Sequence, residues 1–193
     1  MNPEQQTDAE LVQSSLKNAD NFAYLVERYE SRLTRYIRRF TGLDTPSVED
    51  ILQEAFIKIY INLNDFNTSL SFSSWAYRIV HNEAINTIKK AKRKKTVPLE
   101  TDEADVKNLI DILKSDSDLP EEFSRKERIK KIRDVLSMLS PKYQEILVLR
   151  YLEDMDYKTI GDVLMMPIGT VGTLVNRAKK QFKTIARKNN LIS

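Results

Sequence analysis

Cysteine is absent from these 193 residues, which excludes disulfides and thiolate metal sites and is compatible with a reducing cytoplasm. His81 is the only histidine. With no second imidazole, a zinc site would need carboxylates alone as co-ligands, and His81 reads as a helix-surface residue. No metal or other cofactor is expected. Glycine is scarce, at four residues, and no phosphate-cradling glycine loop occurs among them. The six prolines fall at plausible helix edges or in connections, so an all-α fold is expected. The longest apolar run, Phe22–Val26, has five residues, against about 20 for a bilayer span. No basic stretch followed by an apolar one opens the chain, so no secretion signal or membrane insertion is expected. No nucleophile stands beside an activating base, so catalytic residues are not expected either.

What is present is charge, unevenly placed. Residues 1–97 carry 14 basic and 12 acidic side chains, residues 98–122 carry 2 and 9, and residues 123–193 carry 15 and 7. Two basic-leaning blocks flanking an acidic strip predict an N-terminal helical domain (1–97), an acidic linker (98–122) and a C-terminal domain (123–193). The net +8 of the last block suits phosphate binding with counterion release. Either block can also be read as an ordinary solvated surface.

The first block reads as amphipathic helices. Residues 7–17 form a short one, with Leu11, Val12 and Leu16 apolar. From Asn21 to Thr41, Phe22, Leu25, Val26, Tyr29, Leu33, Tyr36, Ile37 and Phe40 share a broad face. Arg28, Arg32, Arg35, Arg38 and Arg39 lie mostly opposite, and Gly42 supplies a stop signal. Thr45-Pro46 offers an N-cap and a first-turn proline. The helix from there to Leu63 turns Ile51, Leu52, Ala55, Phe56, Ile59 and Tyr60 inward and leaves Glu49, Asp50, Gln53 and Glu54 on an acidic, amide-bearing patch. That patch is either simple capping and solvation or a protein docking surface. A polar connection with Asn64, Phe66 and Phe72 leads to a helix from Ser73, which carries Trp75, Arg78 and Asn82. It ends in six cations among seven residues, Lys89 to Lys95. Aromatics, amides and a basic tail suit an unpaired DNA strand, whose bases stack while cations hold its backbone. Trp75 can equally be core, and the tail can equally answer the helix dipole.

The second block ends in DMDYKTIGDVLMMPIGTVGTLVNRAKKQFK, residues 154–183. Asp156 caps a helix with Ile160, Val163 and Leu164 apolar. Met165-Met166-Pro167 breaks it. A second helix from Gly169 sets Val171, Val175, Ala178 and Phe182 on one face and Thr173, Asn176, Arg177 and Lys180 on the other, with Thr170 at the edge. This is the helix-turn-helix pattern, whose second helix fits the DNA major groove. A helix from about Pro120, with Phe123, Ile129, Ile132, Val135, Leu136 and Leu139, and another from Ser140-Pro141 to Leu152 complete a four-helix unit.

The ordered set of motifs resembles the extracytoplasmic-function (ECF) sigma factors, two-domain initiation factors of bacterial RNA polymerase. VEDILQEAFIKIY resembles their polymerase-docking helix, SFSSWAYRIVHNEAINTIKK their −10 reading and melting helix, and LSPKYQEILVLRYLEDMDYKTIGDVLMMPIGTVGTLVNRAKKQF their −35 domain. The resemblance implies that Asp50, Gln53 and Glu54 contact core polymerase, whose beta-prime clamp helices and beta flap are the expected docking sites. It implies that Asn64, Phe66 and Phe72 lie in the loop that holds a flipped −10 base, and that Trp75, Arg78 and Asn82 support the opened strand. Thr170, Thr173, Asn176, Arg177 and Lys180 would face duplex DNA at −35. An anti-sigma factor, a monomeric free state and a cytoplasmic location follow from the same likeness. The family often has lysine, serine and arginine where Gly172, Thr173 and Leu174 stand, so DNA contacts there are altered. Val80 and His81 replace a common alanine and arginine. Gly172 should weaken its helix by about 1 kcal/mol relative to alanine.

Two other functions fit parts of the pattern. A dimeric helix-turn-helix regulator of duplex DNA accounts for the second block and leaves the acidic patch and aromatic loop unused. A recombinase-like enzyme would require a nucleophile or a carboxylate metal cluster.

Overall fold

The computed structural model describes residues 5–67, 70–91, 125–189 and 191. The acidic strip at 98–122, the cations Lys92–Lys95 and Phe123 lie outside them. The described chain is helical, in two groups: α1 (Asp8–Lys17), α2 (Phe22–Thr41), α3 (Thr45–Ile61) and α4 (Phe72–Ala91), then α5 (Arg125–Ser137), α6 (Pro141–Leu147), α7 (Tyr157–Leu164) and α8 (Ile168–Lys188).

Local chemistry sets the boundaries. Thr7 and Glu10 form a reciprocal capping box at α1: Thr7 N–H donates to Glu10 Oε2 at 2.7 Å and Glu10 N–H donates to Thr7 Oγ1 at 3.3 Å. Gly42 ends α2 at φ 61°, a left-handed conformation that glycine adopts without strain. The cap of α3 is Asp44 rather than Thr45: its carboxylate accepts the Ser47 N–H at 3.1 Å, which places Thr45 and Pro46 in the first turn. A carboxylate also suits the positive helix end better than a hydroxyl does. α3 stops at Ile61, two residues short of the expected Leu63, which instead opens a single 3-10 turn.

In α3 the buried stripe is Val48, Ile51, Leu52, Ala55 and Ile59. Tyr60 was expected inside but is 45% exposed, because one residue beyond Ile59 is a rotation of about 100° away from the core. In α2, Leu25, Tyr29, Leu33, Tyr36, Ile37 and Phe40 are buried as the spacing predicts, yet so is Arg39. Each such apolar side chain contributes about 1.5–3 kcal/mol by leaving water.

The expected single helix from Pro141 to Leu152 changes character at Val148, where a π-type turn runs to Leu152. The wide turn keeps Val148, Leu149 and Leu152 buried. The four helices of the second group assemble around α8, which packs against α5, α6 and α7. The two groups also touch: α4 lies against α7, and α2 against α6 and the π turn. Buried apolar residues of both groups form one continuous core.

Candidate nucleic-acid and polymerase interface

The helix-turn-helix is built by four local decisions. The Asp156 carboxylate accepts the Thr159 N–H at 2.7 Å, capping α7. This bond is the largest cause holding its pKa below the ordinary carboxylate value. Met165 closes α7 in the left-handed region, at φ 55°. Met166 N–H then donates to the Gly161 carbonyl at 2.9 Å. Pro167, with no N–H to lose, stands at the N-cap of α8. Gly161 was not singled out by the sequence pattern, yet a Cβ there would sit 2.8 Å from the Met166 carbonyl oxygen. The turn therefore closes only over a residue without a side chain.

On α8, Val171, Leu174, Val175, Ala178 and Phe182 are buried, and Thr170, Thr173, Asn176, Arg177 and Lys180 are exposed. The five residues expected to face duplex DNA thus share an open surface. Thr173 Oγ1 donates to the Gly169 carbonyl at 3.0 Å, leaving its oxygen free to accept. Leu174 is a core residue at 7% exposure, so it presents no side chain on that open surface. Gly172 lies against the Tyr157 ring, and a Cβ there would make ordinary contact at 3.6 Å. Arg150 lies over both Tyr151 and Tyr157, at 5.6 and 5.8 Å from the ring centres.

On α3, Asp50, Gln53 and Glu54 are all exposed, and their i, i+3, i+4 spacing gives one face. Ile57 and Ile61, 45% and 67% exposed, continue it toward the helix end. An acidic start and an apolar finish suit a protein partner better than a nucleic acid.

The aromatic residues behave differently. Phe66, Phe72 and Trp75 are buried at 8%, 4% and 8% exposure. Their rings stand 5.2–5.8 Å apart in edge-on and tilted pairs, and Tyr29 meets Phe72 at 5.2 Å. Beside them is a cavity of about 240 Å³ lined by Thr7, Asp8, Ala9, Phe66, Leu70, Ser71 and Phe72. Asn64 and Asn82 are exposed; Arg78 is half-buried and its Nη1 lies 3.2 Å from Met165 Sδ.

The spacing on α4 missed what Tyr77 and His81 do. Tyr77 OH donates to Glu153 Oε2 at 2.7 Å. His81 was expected on the surface, but its Nδ1 lies 2.5 Å from Glu145 Oε1, which also accepts Tyr36 OH at 2.9 Å. Burial first, then the facing carboxylates, push both phenols well above the usual tyrosine value. No signal in one sequence pairs residues more than 60 positions apart. Among the described residues, no three acidic or histidine side chains converge to hold a metal.

Comparison with known proteins places this geometry. Residues 25–94 match Sigma-70 region 2, and residues 129–182 match Sigma-70 region 4. The ECF RNA polymerase sigma factor SigW of Bacillus subtilis is 31% identical over 165 residues, covering 85% of this chain and 88% of that protein. The chain belongs to the ECF sigma factors. The ECF RNA polymerase sigma-E factor of Haemophilus influenzae is 30% identical over 186 residues, covering 93% and 95% of the two chains. A solved structure of CnrH in complex with the cytosolic domain of CnrY has the same fold, with a TM-score of 0.66 at 20% identity over 95% of this chain and 99% of that one. The region 2 match spans α3 and α4, and the region 4 match of this sigma factor takes in α6, α7 and α8 as far as residue 182. No described helix is long and apolar enough to cross a membrane.

Proposed function

We propose that this sigma factor binds core RNA polymerase and directs it to −35 and −10 promoter elements. Family membership carries the reading, and the exposed face of α8 supports it: a hydroxyl, amide and cation series on one side of a helix preceded by a tight turn is what a major groove accepts. Asp50, Gln53 and Glu54 form the polymerase-docking patch, directed at the beta-prime clamp helices; the beta flap is the second contact. Asn64, Phe66 and Phe72, with Trp75, Arg78 and Asn82, serve the opened −10 strand. The buried rings form the wall of the base-binding cavity rather than free stacking platforms. The functional division is 1–97 for docking and −10 melting, 98–122 as linker, and 123–193 for −35 recognition. The protein acts by recognition and strand separation rather than by catalysis, in the cytoplasm, and is a monomer when free. An anti-sigma factor is its regulatory partner, a class also represented by NepR, solved with the sigma factor RpoE from Bartonella quintana, a fold neighbour at TM-score 0.62.

Docking is tested with purified core polymerase on a sizing column. The wild-type chain is expected to co-elute with core. The Asp50→Ala/Gln53→Ala variant, folded by circular dichroism, is expected to elute mostly free. Equal co-elution of both would remove the docking assignment, and failure of the wild type would remove the proposed function.

A further inference from the structure

The recognition helix is divided along its length. α8 contains no acidic residue, and all of its cations follow Asn176, beginning with Arg177. From Ile168 to that first cation the helix advances about 13 Å, roughly two and a half turns. Ahead of Asn176, the residues outside the core are Ile168, Gly169, Thr170, Gly172 and Thr173, none of them charged. Ile168 is 59% exposed. Nothing lies within 4 Å of the place a Gly169 Cβ would take, so an incoming surface can come close to the backbone there.

A single exposed isoleucine is ordinary on a protein surface. Its setting gives it meaning. The first residues of a recognition helix are those that meet base edges, and cations beyond them follow the phosphates. Guanine presents two acceptors, N7 and O6, and is read by a paired donor from arginine or lysine. The tip of α8 has neither. An A·T pair presents the adenine N6 amino donor and the thymine C5 methyl, whereas a G·C pair has no methyl. Thr173 commits its hydroxyl proton to the Gly169 carbonyl, so its oxygen can only accept and its methyl is left to pack. An acceptor beside a methyl matches the amino and methyl groups of an A·T pair. Ile168 adds apolar surface, and Gly169 and Gly172 put no side chain in the way.

We infer that the tip of α8 reads A·T pairs of the −35 element through their thymine methyl groups, with Ile168 and Thr173 as the residues that determine this choice. The inference rests on the proposed promoter role. The cations from Arg177 onward supply attraction to the duplex that is independent of sequence. Guanine is disfavoured at the tip because its N7 and O6 lose water there without gaining a bidentate partner.

Deoxyuridine pairs as thymidine does and lacks only the C5 methyl, which makes it the direct probe. Transcription of fragmented genomic DNA by core polymerase with this chain supplies the promoters. Each −35 thymine, on either strand, is then replaced in turn by deoxyuridine, and the affinity of the holoenzyme is measured by filter binding. At one or two thymines the wild-type chain should bind about fourfold more weakly, as expected for one buried methyl group. Ile168→Ala removes most of the apolar tip, and Thr173→Ser removes a methyl while keeping the hydroxyl bond. Both sites are exposed, so folding should be retained, which circular dichroism checks. The uridine penalty should vanish in at least one of the two variants. Promoters whose −35 elements lack A·T pairs, or whose templates are indifferent to uridine throughout, would leave the promoter role standing and overturn the methyl reading. A uridine penalty that is equal in wild type and both variants reports duplex shape instead and overturns it as well. Absence of any transcript removes the promoter role, and this inference with it.

Discussion

Arg39 on α2 and Glu153 beyond the π turn are 114 residues apart in sequence and 2.7 Å apart in space, nearly out of contact with water. An isolated charge in that position would be costly, so each makes the other tolerable. Removing one partner should lower stability by about 3–5 kcal/mol, whereas replacing both with apolar groups of similar volume should be close to neutral. Arg39→Met, Glu153→Leu and the double variant, compared by urea unfolding, form a cycle that checks this. Two single variants within about 0.5 kcal/mol of wild type would mean that the pair is hydrated in solution.

Two glycines of the helix-turn-helix should respond in opposite directions. A methyl group at Gly161 would press on the Met166 carbonyl at 2.8 Å, and backbone cannot step aside cheaply. At Gly172 the methyl would meet only the edge of the Tyr157 ring at 3.6 Å. Gly161→Ala is therefore expected to destabilise the chain by about 1–3 kcal/mol, and Gly172→Ala to stabilise it by about 0.5–1 kcal/mol through the unfolded state. Thermal unfolding followed by circular dichroism reads both signs.

Acid should release the cap of α7. The Asp156 carboxyl titrates below its ordinary value because its charged form accepts the Thr159 N–H. A depressed folded-state value means that its contribution is complete above the unfolded value, about 4, and is lost as pH falls through the folded one. Asp156→Ala should cost about 1 kcal/mol at pH 7, and the difference from wild type should shrink toward zero at the acid end. A gap that persists unchanged at low pH would show that the cap does not depend on charge.

Arg177 is exposed on the open face of α8. If its guanidinium meets phosphate, Arg177→Ala should weaken duplex binding and reduce the slope of log affinity against log salt by about one. A weaker affinity with an unchanged slope would point to a base edge instead of the backbone.

Local signals carried most of the fold. Gly42 and Asp156 mark helix ends through chemistry confined to one turn, and the stripes of α2 and α8 obey the helical period. The Asp44 cap was displaced by one residue because Asp, Thr and Pro stand together and each can begin a helix. The candidate surfaces on α3 and α8 were legible because outward faces follow from periodicity alone. The buried roles of Arg39, Glu145, Glu153 and His81 were not legible: they arise where two helical groups meet, and one sequence contains no term for that meeting. Gly161 was hidden for a related reason, since its need comes from the Met166 carbonyl folding back over it.

The promoter role stands or falls on transcription by purified core RNA polymerase from the source organism, with its fragmented genomic DNA as template and no other sigma factor present. Transcripts with discrete start sites should appear only when this chain is added, and the DNA upstream of those starts should share two spaced elements. Absence of transcripts together with absence of a complex with core would contradict that role and favour a regulator that binds duplex DNA as a dimer.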